Sequence, residues 1–369
     1  MQLVKSENKN IKETAMGMIK SVAFPLFAVV VSLFVAVFFV MWAKDYSLLQ
    51  YFTALKDLFT IIWNASFGSK NSMLITLECI TPLVFTGVAH SIAFRTGLFN
   101  IGVEGQFMLG MISAAAIGII PGLNPWIHVP LIIIGGMLAG SIWAAIPGYL
   151  KAKTGASEVI NTIMMNYIGM YLVNWIVLRS PLAVKGKAST PLIQKSAQLL
   201  RFSGVSRANI SIFIAIVCAF LVFWMLWKTT TGYELRAVGL NPHGAEYGGI
   251  NIKKSIIISM ALSGAIAGIG GATQVAGIFH QSQDLMAFPG FGFDGIAVAL
   301  LAKSNPVACI ISAVLFGALN SSSKMLQING IPKEIVYLIQ SIIIIFVATD
   351  YILKYFSEKK RKKEAMINA

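Results

Sequence analysis

The sequence predicts an all-α polytopic membrane protein with about ten transmembrane helices in two inverted repeats that contain short or broken helices. The first observation is composition, because the 369 residues are 56% hydrophobic and only 12% charged. A soluble domain of this length carries about twice that charged fraction. The second observation is that the apolar residues are gathered into long runs. A helix of about 20 residues crosses a hydrocarbon core of about 30 Å.

Ten segments are long and apolar enough, or nearly so, to cross a membrane. The third and eighth are short, and short helices are typical of membrane transporters with broken spans. In chain order the predicted spans are 22–43, 73–94, 106–120, 127–150, 159–178, 210–227, 255–278, 293–302, 307–319 and 334–353.

The two ends of the chain carry much of its net charge of +14. Four lysines precede the first span, and the run KKRKK occupies 359–363. An excess of basic residues marks the cytoplasmic side of cell membranes, so both ends are predicted to be cytoplasmic, and nucleic-acid binding is disfavoured. The predicted organisation is a cytoplasmic N-terminus at 1–21, one transmembrane domain at 22–353 and a cytoplasmic tail at 354–369 in the inner or plasma membrane.

Ten crossings determine the side of each loop. The basic loops 151–158 and 228–254 then lie inside, as the charge rule predicts. The loop 179–208 lies outside, although it contains six basic residues and no acid. An error in the span count near this loop would remove the conflict.

The third and eighth spans begin with similar residues. GLFNIGVEGQ at 97–106 precedes one, and FPGFGFDG at 288–295 precedes the other. The acids Glu104 and Asp294 stand 190 residues apart, about half the chain. Because the two spans run in opposite directions, the pattern is that of an inverted repeat of five plus five helices. The matched residues are Phe99, Gly102, Glu104 and Gly105 against Phe291, Gly292, Asp294 and Gly295.

Polar residues inside the apolar runs are the candidates for a translocation path. Burying such groups in lipid costs several kcal/mol, so they should face the bundle interior or water. Hydrogen bonding between helices is the competing interpretation for any single amide. Amides and aromatic rings suit a neutral, ring-bearing polar solute, and they suit a sugar almost as well. The candidates are Asn100, Glu104, Gln106, Asn161, Asn166, Gln274, Phe279, Phe291, Phe293 and Asp294.

The loop 228–254 contains the signals of a short helix. Asn241 can cap a helix that begins at Pro242, and Gly248 with Gly249 can end it. A capped helix between two spans is a good docking surface for a soluble partner. A plain connector is the alternative interpretation, but a connector could be shorter and would need no cap.

Several function classes lack their motifs. No phosphate-binding loop GxxxxGK[ST] occurs, so any ATPase is another chain. The glycine-rich stretches 265–274 and 131–140 are better interpreted as small-residue faces that let helices approach closely. The three cysteines and four histidines show no metal-site spacing, and no catalytic cluster is evident. Neither a metal site nor a catalytic site is predicted.

Four stretches together carry a family resemblance, and they occur at 97–110, 156–168, 232–250 and 288–306. The chain resembles the inner-membrane permeases of ATP-binding-cassette importers. Within them it is most similar to the simple-sugar and nucleoside branch, and there to the larger permease of bacterial nucleoside importers. The resemblance extends from about residue 20 to 350 in matching order.

The resemblance implies a type II importer fold, a second related permease, cytoplasmic ATPases that hold ATP and Mg, and an extracytoplasmic lipoprotein that captures nucleosides. This chain itself would bind no cofactor and would not be an enzyme. The loop 232–250 would dock on the ATPase through Arg236, Asn241, Pro242 and Glu246. The outer loop 179–208 would face the binding lipoprotein. Transport would proceed by alternating access driven by ATP.

Two alternatives stay open at this point. The same machine could carry a simple sugar of the ribose or galactose class. An ion-driven secondary transporter is less favoured, because it would need no ATPase and would have no use for a capped cytoplasmic helix.

Overall fold

The structure, a computed structural model, describes residue 27, residues 29–346 and residue 349. Over these residues every regular secondary-structure element is helical, apart from two isolated β-bridges, as the composition predicts. The chain divides into two compact units, of which the larger is Ala65–Ser321 and the smaller combines Met1–Asn64 with Ser322–Ala369.

The helices are numbered in chain order. They are α1 (Val29–Ala43), α2 (Tyr51–Phe67), α3 (Lys70–Arg95), α4 (Val103–Gly118), α5 (Pro125–Thr154), α6 (Glu158–Arg179), α7 (Ser211–Lys228), α8 (Thr230–Leu240), α9 (Pro242–Tyr247), α10 (Ile252–Gln274), α11 (Phe291–Leu301), α12 (Pro306–Ile328) and α13 (Glu334–Phe346). A π-helical turn, Val275–Phe279, continues α10.

Within the described part of the chain, five helices are long and apolar enough to cross a membrane, namely α3, α5, α7, α12 and α10 with its π-helical turn. Four shorter apolar helices, α1, α4, α11 and α13, accompany them. This arrangement is that of a multi-pass membrane protein. The predicted short third and eighth spans correspond to α4 and α11, of 16 and 11 residues.

Most predicted spans match these helices with shifts of a few residues at their ends, but the span predicted at 307–319 is shorter than α12, which continues to Ile328. Parts of the first and last predicted spans, at 22–28 and 347–353, and both basic termini fall largely outside the described residues. Two helices were not predicted, α2 and α8. In α2 the charged pair Lys56 and Asp57 interrupts an otherwise apolar run. In the smaller unit, the Tyr51 hydroxyl at the start of α2 donates to the carbonyl of Phe34 in α1 at 2.8 Å.

Small residues bring α5 and α10 into backbone contact, as the sequence predicts. A Cβ atom on Gly140 would overlap the carbonyl of Gly264, and one on Gly268 would overlap the carbonyl of Gly136. Gly110 of α4 meets Gly268 in the same way. Since no side chain separates these backbones, α4, α5 and α10 form one tightly packed group.

The helix α3 has an equivalent group of its own. Gly295 of α11 packs against Thr86 of α3, and Gly317 of α12 packs against Ile80 of α3. Thus α3 pairs with α11 and α12, whereas α10 pairs with α4 and α5. The two groups are joined by direct packing of α3 against α10 and by contacts of α11 with α4. The candidate site lies at the start of α11.

Candidate functional site

The predicted acid Glu104 caps the helix that carries the other predicted acid. Its side chain is fully buried in the first turn of α4. One carboxylate oxygen accepts a hydrogen bond from the backbone N–H of Gly290 at 2.6 Å, and the other accepts one from that of Gly292 at 2.5 Å. These groups form the N-terminus of α11, whose dipole favours a negative charge. Glu104 therefore fixes the start of α11.

A second residue holds the same helix end. His90 of α3 contacts the carbonyl of Gly292 through Nε2 at 2.8 Å, which makes that nitrogen the donor. A Cβ atom on Gly292 would lie 2.5 Å from the backbone nitrogen of Glu104, so only glycine fits. Sequence reasoning assigned His90 no role in this site. The signal available was a histidine inside an apolar span, where a polar side chain needs a partner.

Two predicted amides bind each other at the break before α4. Asn100 and Gln106 exchange a pair of side-chain hydrogen bonds, both at 3.1 Å. Asn100 also donates to the Ser263 hydroxyl on α10 at 2.9 Å and accepts from the backbone of Gly102. All of these side chains are buried. Their hydrogen bonds hold the irregular backbone between α3 and α4. Buried backbone N–H and C=O groups without a hydrogen-bond partner would be costly there.

Asn166 of α6 holds the same break from its other side. Its side-chain oxygen accepts from the backbone of Gly105 at 2.8 Å, and its nitrogen donates to the carbonyl of Ile101 at 3.0 Å. A Cβ atom on Gly105 would be 2.9 Å from that oxygen. The glycine lets α4 and α6 approach closely enough for both bonds to form.

Asp294 lies one turn inside α11 and is only partly buried. Its carboxylate accepts from the side-chain nitrogen of Asn320 on α12 at 2.9 Å. The neighbouring Phe293 leaves 38% of its surface exposed. Unlike Glu104, this pair keeps surface free for a ligand.

Aromatic residues extend from Phe293 onto α6. The ring of Phe288 lies edge-on to Phe293 with centroids 5.7 Å apart, and edge-on to Tyr167 at 5.0 Å. Tyr167 is itself exposed. Neither Tyr167 nor Phe288 was among the predicted site residues. Both lie in the stretches that carry the family resemblance, which was the one signal that pointed to them.

The remaining predicted path residues do not join this group. Phe291 packs against Phe107 in the core, with ring centroids 5.4 Å apart. Gln274 is buried at the end of α10, and Phe279 is partly exposed at the end of the π-helical turn. Asn161 is partly buried on α6. Among the described residues, no group of histidine, cysteine and acidic side chains is suited to a metal ion.

The predicted capped helix of the loop 228–254 is confirmed as α9. The side-chain oxygen of Asn241 accepts from the backbone of Gly244 at 3.1 Å, and Pro242 occupies the first helical position. Gly249, with φ of +82°, follows the helix end. Glu246 is exposed, Leu240 is 88% exposed and Tyr247 is 97% exposed. The apolar side chain of Leu240 and the aromatic side chain of Tyr247 are thus almost completely exposed at this end of the bundle.

Arg236 differs from the other predicted docking residues because it points inward. It lies on α8, donates from Nε to the carbonyl of Leu226 at 2.9 Å and covers the ring of Trp227 at 5.7 Å. Its contacts within the chain attach α8 to the end of α7. Glu246, Asn241 and Pro242 remain on the exposed face.

The segment 180–210 between α6 and α7, which contains the predicted outer loop except Arg179, is bound to the bundle at several points. Glu78 of α3 accepts from the Ser206 hydroxyl at 2.8 Å and from the backbone of Arg207 at 2.6 Å. Arg201 donates to Nε2 of His280 at 2.5 Å. Burial and the positive charge of Arg201 lower the pKa of His280, so the neutral imidazole accepts this bond. The polar residues of this loop therefore occupy defined positions.

The described residues form a bundle of long and short apolar helices with the capped helix α9 on its surface, which is the architecture of a multi-pass membrane protein. Residues 72–348 match the family described as the permease component of branched-chain amino acid transport systems, and the chain belongs to this family.

Several proteins that are similar in sequence to this chain are permeases whose names state the solute that they carry. The guanosine ABC transporter permease protein NupP of Bacillus subtilis (strain 168) is 39% identical over 345 residues, which cover 92% of this chain and 97% of that protein. The nucleoside ABC transporter permease protein NupB of Lactococcus lactis subsp. cremoris (strain MG1363) is 34% identical over 311 residues, or 82% of this chain and 85% of that protein. A glucose ABC transporter permease protein of Haloferax volcanii is 27% identical over 315 residues, or 81% of this chain and 82% of that protein.

Proposed function

We propose that this chain is the permease subunit of an ATP-binding-cassette importer that carries nucleosides across the cell membrane. The observation that carries the proposal is the extent of the similarity to NupP, which is 39% identical over 92% of this chain. The glucose permease is less similar, at 27% identity. The simple-sugar alternative is therefore less well supported than the nucleoside.

The exposed ring of Phe293 and the partly buried carboxylate of Asp294 support a role for the start of α11 in solute contact. A nucleoside presents a flat base and a ribose with hydroxyl groups. Phe293 with Phe288 and Tyr167 offers rings against which a base can stack, and Asp294 offers oxygens that can accept from a hydroxyl or an amino group. Glu104, Asn100, Gln106 and Asn166 would act indirectly, since their hydrogen bonds hold the helix ends that present this surface.

The pairing of helices supports an inverted repeat of five plus five spans. In that scheme α3, α4 and α5 correspond to α10, α11 and α12. In an inverted repeat, a contact between two helices has a counterpart between the two corresponding helices. A contact of α10 with α4 therefore predicts one of α3 with α11, and a contact of α10 with α5 predicts one of α3 with α12. The contacts of α10 with α4 and of α3 with α11 follow that rule, and so does the close approach of Gly317 of α12 to Ile80 of α3.

The cytoplasmic helices α8 and α9 would receive the partner ATPase, on which ATP and Mg are bound. The exposed side chains Leu240, Glu246 and Tyr247 form the proposed docking face. ATP binding and hydrolysis on the partner would move this face and change the side of the membrane to which the path opens. This chain needs no catalytic residue and no cofactor for that role.

The remaining partners follow from the same proposal. A second related permease would complete the path as a heterodimer, and an extracytoplasmic lipoprotein would deliver nucleoside to the loop 179–208. Both termini would be cytoplasmic. The basic side chains of the outer loop, such as Lys187, would then face the lipoprotein.

Uptake in a strain that lacks the gene for this chain tests the function. We expect loss of guanosine accumulation, rescue by the wild-type gene, and no change in ribose, galactose or glucose uptake. Loss of sugar uptake with unchanged nucleoside uptake would favour the sugar alternative. Full uptake by the purified chain in vesicles, with no ATPase and with an ion gradient alone, would favour a secondary transporter.

A further inference from the structure

The side chain of Arg95 joins the end of α3 to the turn between α11 and α12. Its Nε donates to the carbonyl of Ser304 at 2.9 Å, and its Nη2 donates to that of Lys303 at 3.0 Å. Lys303 and Ser304 have φ of +51° and +55°, a left-handed conformation that is unfavourable for residues with a side chain. The two charge-assisted bonds hold this strained turn.

The same arginine also reaches the cytoplasmic helices. The guanidinium of Arg95 lies over the ring of Trp227 at 5.1 Å, and that of Arg236, on α8, lies over the same ring at 5.7 Å. Both distances are within the range of favourable cation–π contact. Trp227 thus connects Arg95 to the helix that precedes the docking face.

The backbone of Arg95 is in contact with α8 as well. A Cβ atom on Gly239 would overlap the carbonyl of Arg95, and one on Gly97 would lie 3.4 Å from the Cα atom of Gly239. Gly97 has φ of +75° and begins the broken stretch before α4. A displacement of α8 toward the end of α3 therefore cannot leave Arg95 and Gly97 where they are.

We infer that Arg95 is a positioning residue that transmits movement of α8 and α9 to α11, the short helix that carries Phe293 and Asp294. This inference rests on the proposed ATP-driven function. With 11 residues, α11 is about 16 Å long and would move as one body. Its far end is held by Glu104 and His90, and its near end is held by Arg95. Movement of α8 would thus tilt α11 about the Glu104 end.

The geometry requires the guanidinium fork at this position. A lysine would keep a positive charge near Trp227, but its ammonium lacks the rigid planar fork that presents two parallel donors to neighbouring carbonyls. Arg95→Lys therefore keeps the positive charge and removes the paired hydrogen bonds to the carbonyls of residues 303 and 304. Arg95→Gln removes both the charge and the fork.

A labelling experiment on the assembled transporter tests the inference without reference to the solute. The three native cysteines at 79, 218 and 309 are replaced, and Phe293→Cys provides a maleimide target on α11. The complex is purified with its partner chains, and labelling is compared with and without a non-hydrolysable ATP analogue. We expect the analogue to change the labelling rate about tenfold when Arg95 is intact, and less than about twofold in Arg95→Lys, with co-purification and ATP hydrolysis within about twofold of the parent.

Lys228→Gln is the matched control. It removes a positive charge from an exposed residue beside Trp227 that makes no contact in the proposed connection. We expect it to retain the full response. An equal response in Arg95→Lys, Arg95→Gln and the parent would overturn the inference. Failure of both Arg95 variants to assemble would also overturn it, because Arg95 would then serve the fold alone.

Guanosine uptake by complexes that keep Phe293, compared between native Arg95 and Arg95→Lys, separates this inference from the proposed substrate. Phe293→Cys is left out of the uptake measurements because Phe293 belongs to the proposed solute surface. If the labelled parent complex responds to the ATP analogue and the complex that keeps Phe293 transports no guanosine, the nucleoside proposal fails while the role of Arg95 stands. If the complex that keeps Phe293 transports guanosine and Arg95→Lys transports as much per ATP hydrolysed, the role of Arg95 fails while the nucleoside proposal stands.

Discussion

Glu104 accepts a hydrogen bond from the backbone N–H of Gly292, although the two residues are 188 positions apart. The acid at the start of one short helix thereby caps the start of the other. The two short helices cannot move independently while this contact is intact. A change in the tilt of α11 would therefore also pull on the first turn of α4 and on the irregular backbone that precedes it.

Replacement of Glu104 by glutamine tests this contact. Glutamine keeps one acceptor oxygen and turns its NH₂ group toward a backbone N–H, so one buried donor loses its partner, at a cost of about 1–3 kcal/mol. We expect nucleoside uptake to fall about tenfold or more, with normal membrane abundance and co-purification of the partners. Wild-type uptake by Glu104→Gln would contradict a role for the cap in transport.

Replacement of Gly292 by alanine tests the close approach at the same junction. The new methyl group would lie 2.5 Å from the Glu104 nitrogen, and overpacking of a buried site costs about 1–3 kcal/mol. We expect a lower midpoint of thermal aggregation in detergent and reduced uptake. Gly204→Ala is the control, because a Cβ atom there meets no other atom within 4 Å. Equal stability of the two variants would refute the packing argument.

The solute surface is tested by Phe293→Ala. Loss of one stacking ring is worth about 1 kcal/mol, which corresponds to about a fivefold increase in the half-saturating guanosine concentration. The maximal rate should change little. Phe220→Ala serves as the control, because Phe220 is an exposed ring on α7, away from the candidate site. An unchanged half-saturating concentration in Phe293→Ala would exclude this ring from solute contact.

Glu246 and Arg236 are expected to respond differently to alanine substitution. Glu246 is exposed, so Glu246→Ala should weaken ATPase coupling and leave thermal stability unchanged. Arg236→Ala removes the bond to Leu226 and the contact with Trp227, so it should lower stability as well as coupling. Both should still insert into the membrane. Uptake and ATP hydrolysis at the wild-type level in Glu246→Ala would count against the docking face.

The proposed orientation is tested by cysteine labelling in a background without native cysteines. A cysteine at the exposed Lys187 should react with an impermeant maleimide on intact cells. One at Lys153, in the predicted inner loop, should react only after permeabilisation. The reverse pattern would overturn the topology.

Much of the fold could be predicted from local sequence. Runs of apolar residues identify the long helices, the Asn241–Pro242 pair identifies the start of α9, and the glycines of 131–140 and 265–274 identify the close approach of α5 and α10. The helix α2 was missed because Lys56 and Asp57 lower its hydropathy. The helix α8 was missed because its residues were interpreted as loop.

The partners of the site residues could not be predicted in the same way. Glu104 could equally have faced solute, and nothing near it in the chain indicates that its partners are Gly290 and Gly292. Arg236 was expected at a docking face and is turned toward Trp227. The role of Arg95 required the positions of α3, α7, α8 and α11 together.

The sequence by itself determined the long apolar helices and the breaks before the short ones, because backbone hydrogen bonds, caps and hydropathy act within a few residues. Only the tertiary structure decided which polar groups are used internally and which stay exposed. A buried donor or acceptor must find a partner wherever the packing of the whole bundle provides one, and here that partner for Glu104 is 186 residues away. Asp294, with the same chemistry and a similar local sequence, keeps part of its surface free because α12 supplies it with a single amide.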